Sequence, residues 1–472
     1  MIPLTLDQLA DVVGGDVADA TDGTRTISSV IIDSRAAGPG ALFVPLPGEH
    51  ADGHAFVGDA MARGASGYLV ASAARPLPEP GALVVDDCAD ALLGLGIWVR
   101  DTVAPIVVGV TGSQGKTTTK DLMGAAIGAG RACVASPGSF NNELGVPLSC
   151  CRLDESSEVL ITEIGSRGIG QIARLAALVR PDIAVVTSVG ASHLELLGDI
   201  ETVARAKSEL VEALPADGLA VLNADDPRVA AMAERTGARV ITYGITATAD
   251  WRASGVHLDG RACARFTAHG PPGEVPVRLA LSGAHNVGNA LAALAVADAV
   301  GVPLADAAAA VATAAVSRWR MELRAGPGGL VVINDAYNAN PASTRAALDT
   351  LAALDVPGRR WAVLGLMAEL GGTGDAEHAS VGAHAARAGV DRLVVVGRRA
   401  AAVAAGALEA GLPADAATVV ADADAALTLL RAEASGGDAV LVKASRSVGL
   451  ERVAIDLAPA ASDAAAPGEA GA

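Results

Sequence analysis

The chain has 472 residues, of which 51% are hydrophobic and 2% aromatic, and it carries a formal net charge of −18 at pH 7. This length corresponds to roughly three domains, whose cores must be built mainly from Ala, Val, Leu and Ile. An acidic chain without a basic patch is not expected to bind nucleic acid.

The N-terminus and the cysteines bear on cellular location. The N-terminus lacks a positive segment followed by a long apolar stretch, and no apolar run approaches the length of a membrane span. We therefore expect no membrane span and a cytoplasmic location. The five cysteines show no CxxC spacing, which predicts reduced and mostly buried thiols.

Residues 1–103 are predicted to form a first α/β domain. Asp33, Ser34 and Arg35 directly follow its first predicted long strand. Their hydroxyl and guanidinium groups can hold a phosphate or a pyrimidine edge, although an ion pair within a solvated loop is the simpler interpretation of these residues alone. Helical and strand-like patterns alternate here, with helices at 5–13, 56–63 and 89–100 and strands at 27–32, 41–45 and 67–71.

A phosphate-binding loop is the most specific motif of the sequence. A β-branched run at 106–110 ends in a glycine-rich turn, and a segment with helical character follows. In such a loop the glycines let backbone N–H groups approach phosphates, Lys116 supplies a point charge, and Thr117 can hold Mg²⁺. The first glycine of the longer GxxxxGK[ST] pattern is replaced by Val110. The loop residues are Gly112, Ser113, Gln114, Gly115, Lys116, Thr117 and Thr118.

Residues 104–317 are predicted to form a central domain around a parallel sheet. Apolar strands at 106–110, 159–162 and 183–187 alternate with helical segments. This order is typical of parallel sheets with right-handed crossovers. Further along, residues 250–281 show short alternating segments with turns, which predict an antiparallel appendage.

Polar side chains follow each of the three strands. Lys116, Glu163 and His193 come after the first, second and third strand. Because open parallel sheets bind ligands beyond the carboxyl ends of their strands, we expect these side chains to converge. Glu163 suits Mg²⁺. For His193 a place in the core or at a helix end stays open, and Lys207 on a predicted helix at 199–214 is interpreted first as a solvated lysine.

A long Ala-rich helix is predicted to end near residue 300. Asn286 and Asn289 lie on one edge of its first turn. There they can meet a ligand, although a helix cap by Asn286 explains the pattern almost as well.

Residues 318–458 are predicted to form a third domain with a second α/β sheet. Its first strand leads into residues 334–341, a loop dense in amide, carboxylate and phenol groups. The Ala/Gly-rich tail at 459–472 is predicted to be disordered. The predicted strands of this domain are 330–333, 361–366, 392–396 and 439–442.

Taken together, the ordered motifs resemble those of the Mur ligases, ATP-dependent amide-forming enzymes of bacterial cell-wall synthesis. The resemblance covers nearly the whole chain and includes the short form of the phosphate loop. It implies a small α/β uridine-binding domain, a central parallel-sheet P-loop ATPase domain and a C-terminal Rossmann-like α/β domain. The residues that carry it are the phosphate loop, Asn141, Asn142, Glu163, His193, residues 285–289, Arg320 and Asp335.

The resemblance also implies roles for individual residues. ATP would be bound by the phosphate loop together with Asn286, Asn289, Arg320 and Asp335. Two Mg²⁺ ions would be held by Thr117, Glu163, His193 and Lys207, with Lys207 as its CO₂ adduct. Catalytic roles would fall to Lys116, His193, Lys207 and Arg320. The substrates would contact Asp33, Ser34, Arg35, Asn142, Tyr337, Asn338 and Asn340.

Within the family, the first-domain motif and residues 48–54 look like the uridine-binding domain of the last two ligases of the pathway. Residues 334–341 look like the enzyme that joins D-alanyl-D-alanine to UDP-N-acetylmuramoyl tripeptide through an acyl phosphate, with release of ADP and phosphate. We therefore expect these two substrates as partners and a monomer. The alternatives are the preceding ligase, which adds diaminopimelate or lysine, folylpolyglutamate synthase, and a non-enzymatic P-loop binding module.

Overall fold

Three sheets of mixed α/β layout organise the protein, as the sequence predicts. The computed structural model describes residues 1–48, 51–72 and 80–459. Within these ranges the strands form sheets of five, nine and six members, and a further pair of short strands. The predicted disorder of the tail lies, from residue 460 onward, outside the described residues. In the described part of the chain no helix is long and apolar enough to cross a membrane.

The first domain is built on the five-stranded sheet, whose order is β2-β7-β6-β5-β4. Its elements are β1 Leu4–Thr5, α1 Leu6–Val13, β2 Asp16–Val17, β3 Thr26–Ile27, β4 Ser29–Ile31, β5 Ala41–Phe43, α2 Val57–Ala62, β6 Gly67–Ala71, β7 Ala82–Val85 and α3 Cys88–Val103. Thr5 begins α1 with a capping box, since its hydroxyl accepts from Gln8 N while the Gln8 side chain accepts from Thr5 N.

The single strand predicted at 27–32 is wrong. Thr26–Ile27 pairs with β1 in an antiparallel pair, whereas Ser29–Ile31 joins the five-stranded sheet beside β5. The break falls at Ser28, where the N–H groups of Ser28 and Ser29 both donate to the carbonyl of Gly40. One apolar run therefore supplies two sheets.

The central domain is built on the nine-stranded sheet, whose order is β16-β15-β14-β13-β12-β11-β8-β10-β9. Its strands are β8 Ile106–Thr111, β9 Cys133–Ala135, β10 Val159–Glu163, β11 Ile183–Val186, β12 Leu219–Asn223, β13 Arg239–Gly244, β14 Trp251–Leu258, β15 Cys263–Gly270 and β16 Gly273–Ser282. Its helices are α4 Lys116–Gly128, α5 Gly145–Cys150, α6 Gln171–Val179, α7 Leu194–Leu197, α8 Ile200–Glu212, α9 Pro227–Ala230, α10 Asn286–Ala299 and α11 Leu304–Ala312.

Strand β8 lies between β10 and β11, and all three run parallel. The predicted antiparallel appendage is confirmed in β14 to β16, which continue the same sheet. Alternate side chains of β8 enter two cores: Val108 and Val110 pack with α4 and α10, and Val107 packs with the helices of the opposite face. Because the three strands are adjacent and parallel, the polar groups that follow β8, β10 and β11 meet at one edge of the sheet.

The third domain is built on the six-stranded sheet, whose order is β17-β18-β22-β19-β20-β21. Only β17 is antiparallel to its neighbour in the described sheet. Two strands of this sheet were not predicted, β17 and the edge strand β21, where Val419 is exposed. The elements are β17 Glu322–Ala325, β18 Val331–Asn334, α12 Pro341–Ala353, β19 Arg360–Leu364, α13 Gly374–Arg387, β20 Arg392–Val396, α14 Ala402–Glu409, β21 Ala417–Val420, α15 Ala423–Glu433, β22 Ala439–Lys443 and α16 Glu451–Leu457.

Candidate active site

The phosphate loop turns sharply between β8 and α4. Gly112 and Gly115 have positive φ angles of 149° and 80°, which side chains other than glycine rarely adopt. A Cβ atom on Gly112 would also lie 2.0 Å from Thr187 Oγ1. Lys116 opens α4, and its Nζ donates to the Gly112 carbonyl at 2.9 Å. The loop therefore places a lysine and a helix N-terminus at the sheet edge, an arrangement suited to phosphate.

A buried carboxylate lies directly beside this loop. Glu163, at the end of β10, is 1% exposed, and its Oε2 accepts from Thr117 Oγ1 at 2.7 Å. Its other oxygen accepts from Asn141 Nδ2 at 2.8 Å. Asn142 accepts with its side-chain oxygen from Leu144 N and Gly145 N, and its role in substrate binding stays a prediction. Asn141 is one of the family motifs but was not among the predicted site residues.

Lys207 belongs to the same group of charges. Its side chain is 1% exposed, so the interpretation as a solvated helix lysine is wrong. Burial, and after it the charge of Lys116, lower the pKa of Lys207 to about 7, while Glu209 and Glu163 act in the opposite direction. Its Nζ lies 3.2 Å from Ser166 Oγ.

The pKa of Lys116 is lowered as well. Burial is the main cause, Glu163 opposes it, and Arg320 from the third domain adds to it. These couplings mean that Lys116, Glu163, Lys207 and Arg320 share one electrostatic environment at the sheet edge.

His193 points toward the third domain. Its Nδ1 lies 2.6 Å from Glu369 Oε2, and the two side chains are 24% and 35% exposed. The alternative of a buried core histidine is therefore wrong, whereas the alternative of a place at a helix end is met, since His193 is the N-cap residue of α7, without a capping hydrogen bond from its side chain. The close contact with His193 lowers the pKa of Glu369, although partial burial opposes it. Glu369 was not predicted to belong to the site, and His193 is connected to the phosphate loop through Ser192, whose hydroxyl lies 3.0 Å from Ser113 Oγ.

Two asparagines connect α10 to the phosphate loop. Thr119 Oγ1 donates to Asn289 Oδ1 at 3.1 Å, and Asn289 Nδ2 donates to Asn286 Oδ1 at 2.9 Å. Asn286 Nδ2 donates back to the Ser282 carbonyl at 2.8 Å. His285, not Asn286, is the N-cap residue of α10, so the helix-cap interpretation is wrong. The Asn289 amide lies beside Gly115, where an added Cβ would approach its Oδ1 to 2.8 Å.

Arg320 enters from the segment that connects the central and third domains. Its neighbours Trp319 and Met321 have positive φ angles of 58° and 52°, which non-glycine residues adopt mostly at constrained sites. The Arg320 guanidinium stacks 4.2 Å from the Tyr337 ring centroid. Its Nε is buried and has no hydrogen-bond partner among the described residues, so a bound phosphate would supply the missing acceptor.

Asp335 lies in an ion pair. Lys443 Nζ contacts Asp335 Oδ2 at 2.6 Å and donates to the Asn338 carbonyl at 2.8 Å. The other Asp335 oxygen accepts from Met321 N at 3.1 Å. Lys443, which was not among the predicted site residues, therefore fixes the loop after β18 to the end of β22, and Asp335 joins that loop to the segment that carries Arg320.

The same loop reaches the central domain. Asn340 caps α12 with its Oδ1, which accepts from Ser343 N at 2.8 Å, while its Nδ2 donates to the Ser113 carbonyl at 3.3 Å. The Tyr337 hydroxyl is hydrogen-bonded to Ser139 Oγ. Residues of the third domain thus contact the phosphate loop and the segment before Asn141.

The first-domain motif forms local contacts. Arg35 and Asp33 make a two-pronged ion pair with a shortest distance of 2.6 Å. The Arg35 side chain lowers the pKa of Asp33, against partial burial. Ser34 Oγ donates to Asp59 Oδ2 at 2.7 Å. The loop ion pair considered from the sequence is therefore present, and the role in substrate binding stays a prediction.

The donor set suits Mg²⁺. Thr117 and Glu163 offer hard oxygen ligands within 2.7 Å of each other, as Mg²⁺ requires. Lys207 is a buried amine with a pKa near neutrality. A lysine in that state can react with CO₂, and the product presents oxygens in place of a cation.

Family models match three segments of the chain. They are described as "Mur ligase family, catalytic domain" at residues 26–86, "Mur ligase middle domain" at 110–297 and "Mur ligase, glutamate ligase domain" at 319–446. These segments fall in the three domains described above.

Relatives match over nearly the full length. The chain is 44% identical to the UDP-N-acetylmuramoyl-tripeptide–D-alanyl-D-alanine ligase of Mycobacterium bovis, over 96% of this chain and 97% of that protein. Its structure is similar to MurF from Acinetobacter baumannii, with a TM-score of 0.83, 31% identity, and coverage of 97% and 99%. MurF from Thermotoga maritima, solved in complex with ADP, matches with a TM-score of 0.75, 26% identity, and coverage of 90% and 96%.

Proposed function

The chain belongs to the Mur ligase family, and on that premise we propose that it adds D-alanyl-D-alanine to UDP-N-acetylmuramoyl tripeptide. It is an ATP-dependent ligase of peptidoglycan precursor synthesis. The observation that carries this conclusion is the 44% identity to a ligase of that activity over 96% of the chain. The match includes all three domains, so it covers the ATP end and the acceptor end of the site together.

The chemistry proceeds in two steps. The γ-phosphoryl group of ATP passes to the terminal carboxylate of the tripeptide, giving ADP and an acyl phosphate. The amine of D-alanyl-D-alanine then attacks the acyl carbon, and the tetrahedral intermediate loses phosphate as the amide forms. Lys116 and the N-terminus of α4 offset the repulsion between the two anions and stabilise charge on the transferring oxygens.

The metal ligands form a separate part of the proposal. Thr117 and Glu163 would hold one Mg²⁺, and His193 with carbamylated Lys207 would hold a second. Bound Mg²⁺ supplies Lewis-acid stabilisation of the phosphoryl oxygens. The buried Thr117–Glu163 pair and the pKa of Lys207 near 7 support this assignment.

The substrates are assigned to residues of all three domains. ATP would contact the phosphate loop, Asn286, Asn289 and Arg320, with Asp335 placing the segment that carries Arg320. The dipeptide site would be bordered by Tyr337, Asn338 and Asn340, and the tripeptide would pass Asn142. Asp33, Ser34 and Arg35 would receive the UDP end. The contact of Asn340 with Ser113 supports a site shared by the central and third domains.

Cellular location and oligomeric state complete the proposal. We propose a cytoplasmic enzyme, since both ATP and the UDP-linked precursor are nucleotides of that compartment. We also propose a monomer, because all three implied binding regions are present in one chain.

The proposal is tested by measuring phosphate release from ATP with UDP-tripeptide and D-alanyl-D-alanine. Release should require both substrates and should fall to background when either is omitted. Phosphate release that does not depend on D-alanyl-D-alanine would contradict the proposal, and nucleotide binding without any phosphate release would favour a non-enzymatic binding module.

A further inference from the structure

One ion pair joins the central domain to the third domain at the metal end of the site. His193 Nδ1 and Glu369 Oε2 are 2.6 Å apart. His193 lies between β11 and α7, and Glu369 follows β19, so they are supplied by different sheets. Next to the pair, Glu195 N donates to the Glu369 carbonyl at 3.1 Å. Side-chain and backbone contacts therefore coincide at this point.

Both residues have unusual backbone conformations. The φ angles of His193 and Glu369 are 54° and 63°, in the left-handed region that costs energy for residues with a side chain. Such conformations persist where the surrounding structure fixes them, and they concentrate at functional sites. Two of them facing each other across a domain boundary indicate that the position of this ion pair is under constraint.

The chemistry of metal-bound histidines explains why the position of this ion pair would be constrained. A histidine that binds a metal through one ring nitrogen commonly donates the N–H of the other nitrogen to a carboxylate, which fixes its tautomer and orientation. In this protein Nδ1 of His193 is buried and lies 2.6 Å from Glu369 Oε2; the contact is close but is not aligned as a hydrogen bond, and Nδ1 has no other partner among the described residues. Glu369 is therefore the acceptor within reach of an Nδ1–H, which leaves Nε2 as the nitrogen available to a cation. Arg167 lies 3.6 Å from the other Glu369 oxygen, but its side chain is 71% exposed, so it contributes little.

We propose that Glu369 is a positioning residue, which holds His193 as the Nδ1–H tautomer with Nε2 free for a divalent cation. Because Glu369 is supplied by the third domain, the His193 ligand is fully oriented only when that domain is docked on the central domain. This inference rests on the proposed function, since it assigns His193 to the metal site of that reaction.

The test measures cation binding directly. Mn²⁺ is titrated into the full-length protein with a non-hydrolysable ATP analogue and UDP-tripeptide, and free Mn²⁺ is followed by EPR. Glu369→Gln should weaken one class of site by about 10- to 100-fold, as for other carboxylates behind metal-bound histidines. Arg167→Ala, which removes the other side-chain contact of Glu369 across the same boundary, should leave Mn²⁺ affinity unchanged. Unchanged affinity in Glu369→Gln would overturn the proposal.

A second measurement does not depend on whether a variant of Glu369 folds. In protein labelled with ¹⁵N-histidine, the His193 signals are assigned by their loss in His193→Gln. The proposal expects the Nδ1–H tautomer in the protein with ATP analogue and UDP-tripeptide bound, and an Nε2–H tautomer would overturn it.

The two proposals fail in different ways. If wild-type protein released no phosphate in response to D-alanyl-D-alanine while Glu369→Gln still lost Mn²⁺ affinity, the proposed function would be wrong and the positioning role would stand. If wild type were active and Mn²⁺ affinity did not respond to Glu369→Gln, only the positioning role would be wrong.

Discussion

The Thr117 hydroxyl donates a 2.7 Å hydrogen bond to Glu163 Oε2, and this bond joins the first turn of α4 to the end of β10. Both side chains are buried, with exposed fractions of 2% and 1%. The second Glu163 oxygen is engaged by Asn141. A carboxylate at the end of a buried strand is therefore oriented from both sides toward the phosphate loop.

Glu163→Gln is predicted to abolish most ligase turnover while the fold persists. The amide removes the negative charge next to the phosphates, and its single oxygen replaces the two carboxylate oxygens that accept from Thr117 and Asn141, while its NH₂ group accepts from neither. We expect kcat to fall by about 100-fold or more. Asn141→Ala should lower kcat less, by about 10- to 100-fold. Excess Mg²⁺ should restore part of this activity, because the Glu163 carboxylate itself remains. Initial rates at several Mg²⁺ concentrations check both, and a fully active Glu163→Gln would exclude the assigned role.

Asn340 serves two purposes that substitutions can separate. Asn340→Asp keeps an oxygen to cap α12 but replaces the amide donor with a carboxylate facing the Ser113 carbonyl. Its unfolding free energy should stay near that of wild type, while kcat/KM for ATP drops. Asn340→Ala should also lose the cap, which lowers the free energy of unfolding by about 1 kcal/mol.

Ser343→Ala is the matched control, because it removes the bonds of Ser343 Oγ to Asn340 N and to the Asn340 carbonyl but leaves the Asn340 side chain and its contact with Ser113 in place. Urea unfolding and steady-state kinetics on the three variants separate the two effects. If Asn340→Asp and Ser343→Ala had equal kinetics, the contact with Ser113 would have no part in the reaction.

Lys207 is predicted to carry a carbamate. A neutral amine attacks CO₂ and releases a proton, so formation requires the uncharged lysine. With a pKa lowered to about 7, Lys207 is mostly charged at pH 6 and mostly neutral at pH 8. The carbamate signal from ¹³C-bicarbonate in NMR spectra should therefore increase over that interval.

Lys207→Arg should abolish this signal. Lys120→Arg provides the control, since Lys120 is equally buried but pairs with Asp121 at 3.0 Å and is not expected to react. A signal that survives in Lys207→Arg would place the carbamate elsewhere or exclude it.

The cysteines are predicted to be unreactive in the folded protein. Burial raises the pKa of Cys88 and of Cys150 to about 12. Burial disfavours the charged thiolate, so the thiolate is scarce at pH 8 and forms only as the pH rises toward 12. A thiol reagent at pH 8 should modify native protein at most at Cys133, which is only partly buried, and should modify all five cysteines in denaturant. Rapid native modification of Cys150 would contradict the packing described.

The sequence predicts the parts of the site that lie close together in the chain. The phosphate loop is recognised because strand, glycines, Lys116 and Thr117 are contiguous, and Glu163 because it ends a buried apolar run. Parallel-sheet geometry then places these groups together without further information. The prediction of a single strand at 27–32 is wrong for a local reason. A continuous apolar run does not show that the chain leaves one sheet and enters another at Ser28.

The remaining site residues depend on contacts distant in sequence. Glu369 and Lys443 acquire their roles only through His193 and Asp335, and no local pattern links these pairs. Lys207 is different, because it follows Val203 by four residues and precedes Leu210 by three, on the apolar side of α8. That spacing indicates a buried lysine, so the sequence itself carries a signal against the interpretation as a solvated residue.

The most direct test of the central claim is the identity of the product in an acceptor competition. Wild-type enzyme with ATP, Mg²⁺ and UDP-tripeptide is given equal concentrations of D-alanyl-D-alanine, diaminopimelate, lysine and glutamate, and the UDP-linked product is identified by mass spectrometry. We predict a single product that carries D-alanyl-D-alanine, formed with one ADP and one phosphate per amide. A product that carries any of the other three acceptors, or ATP hydrolysis without an amide product, would contradict the account.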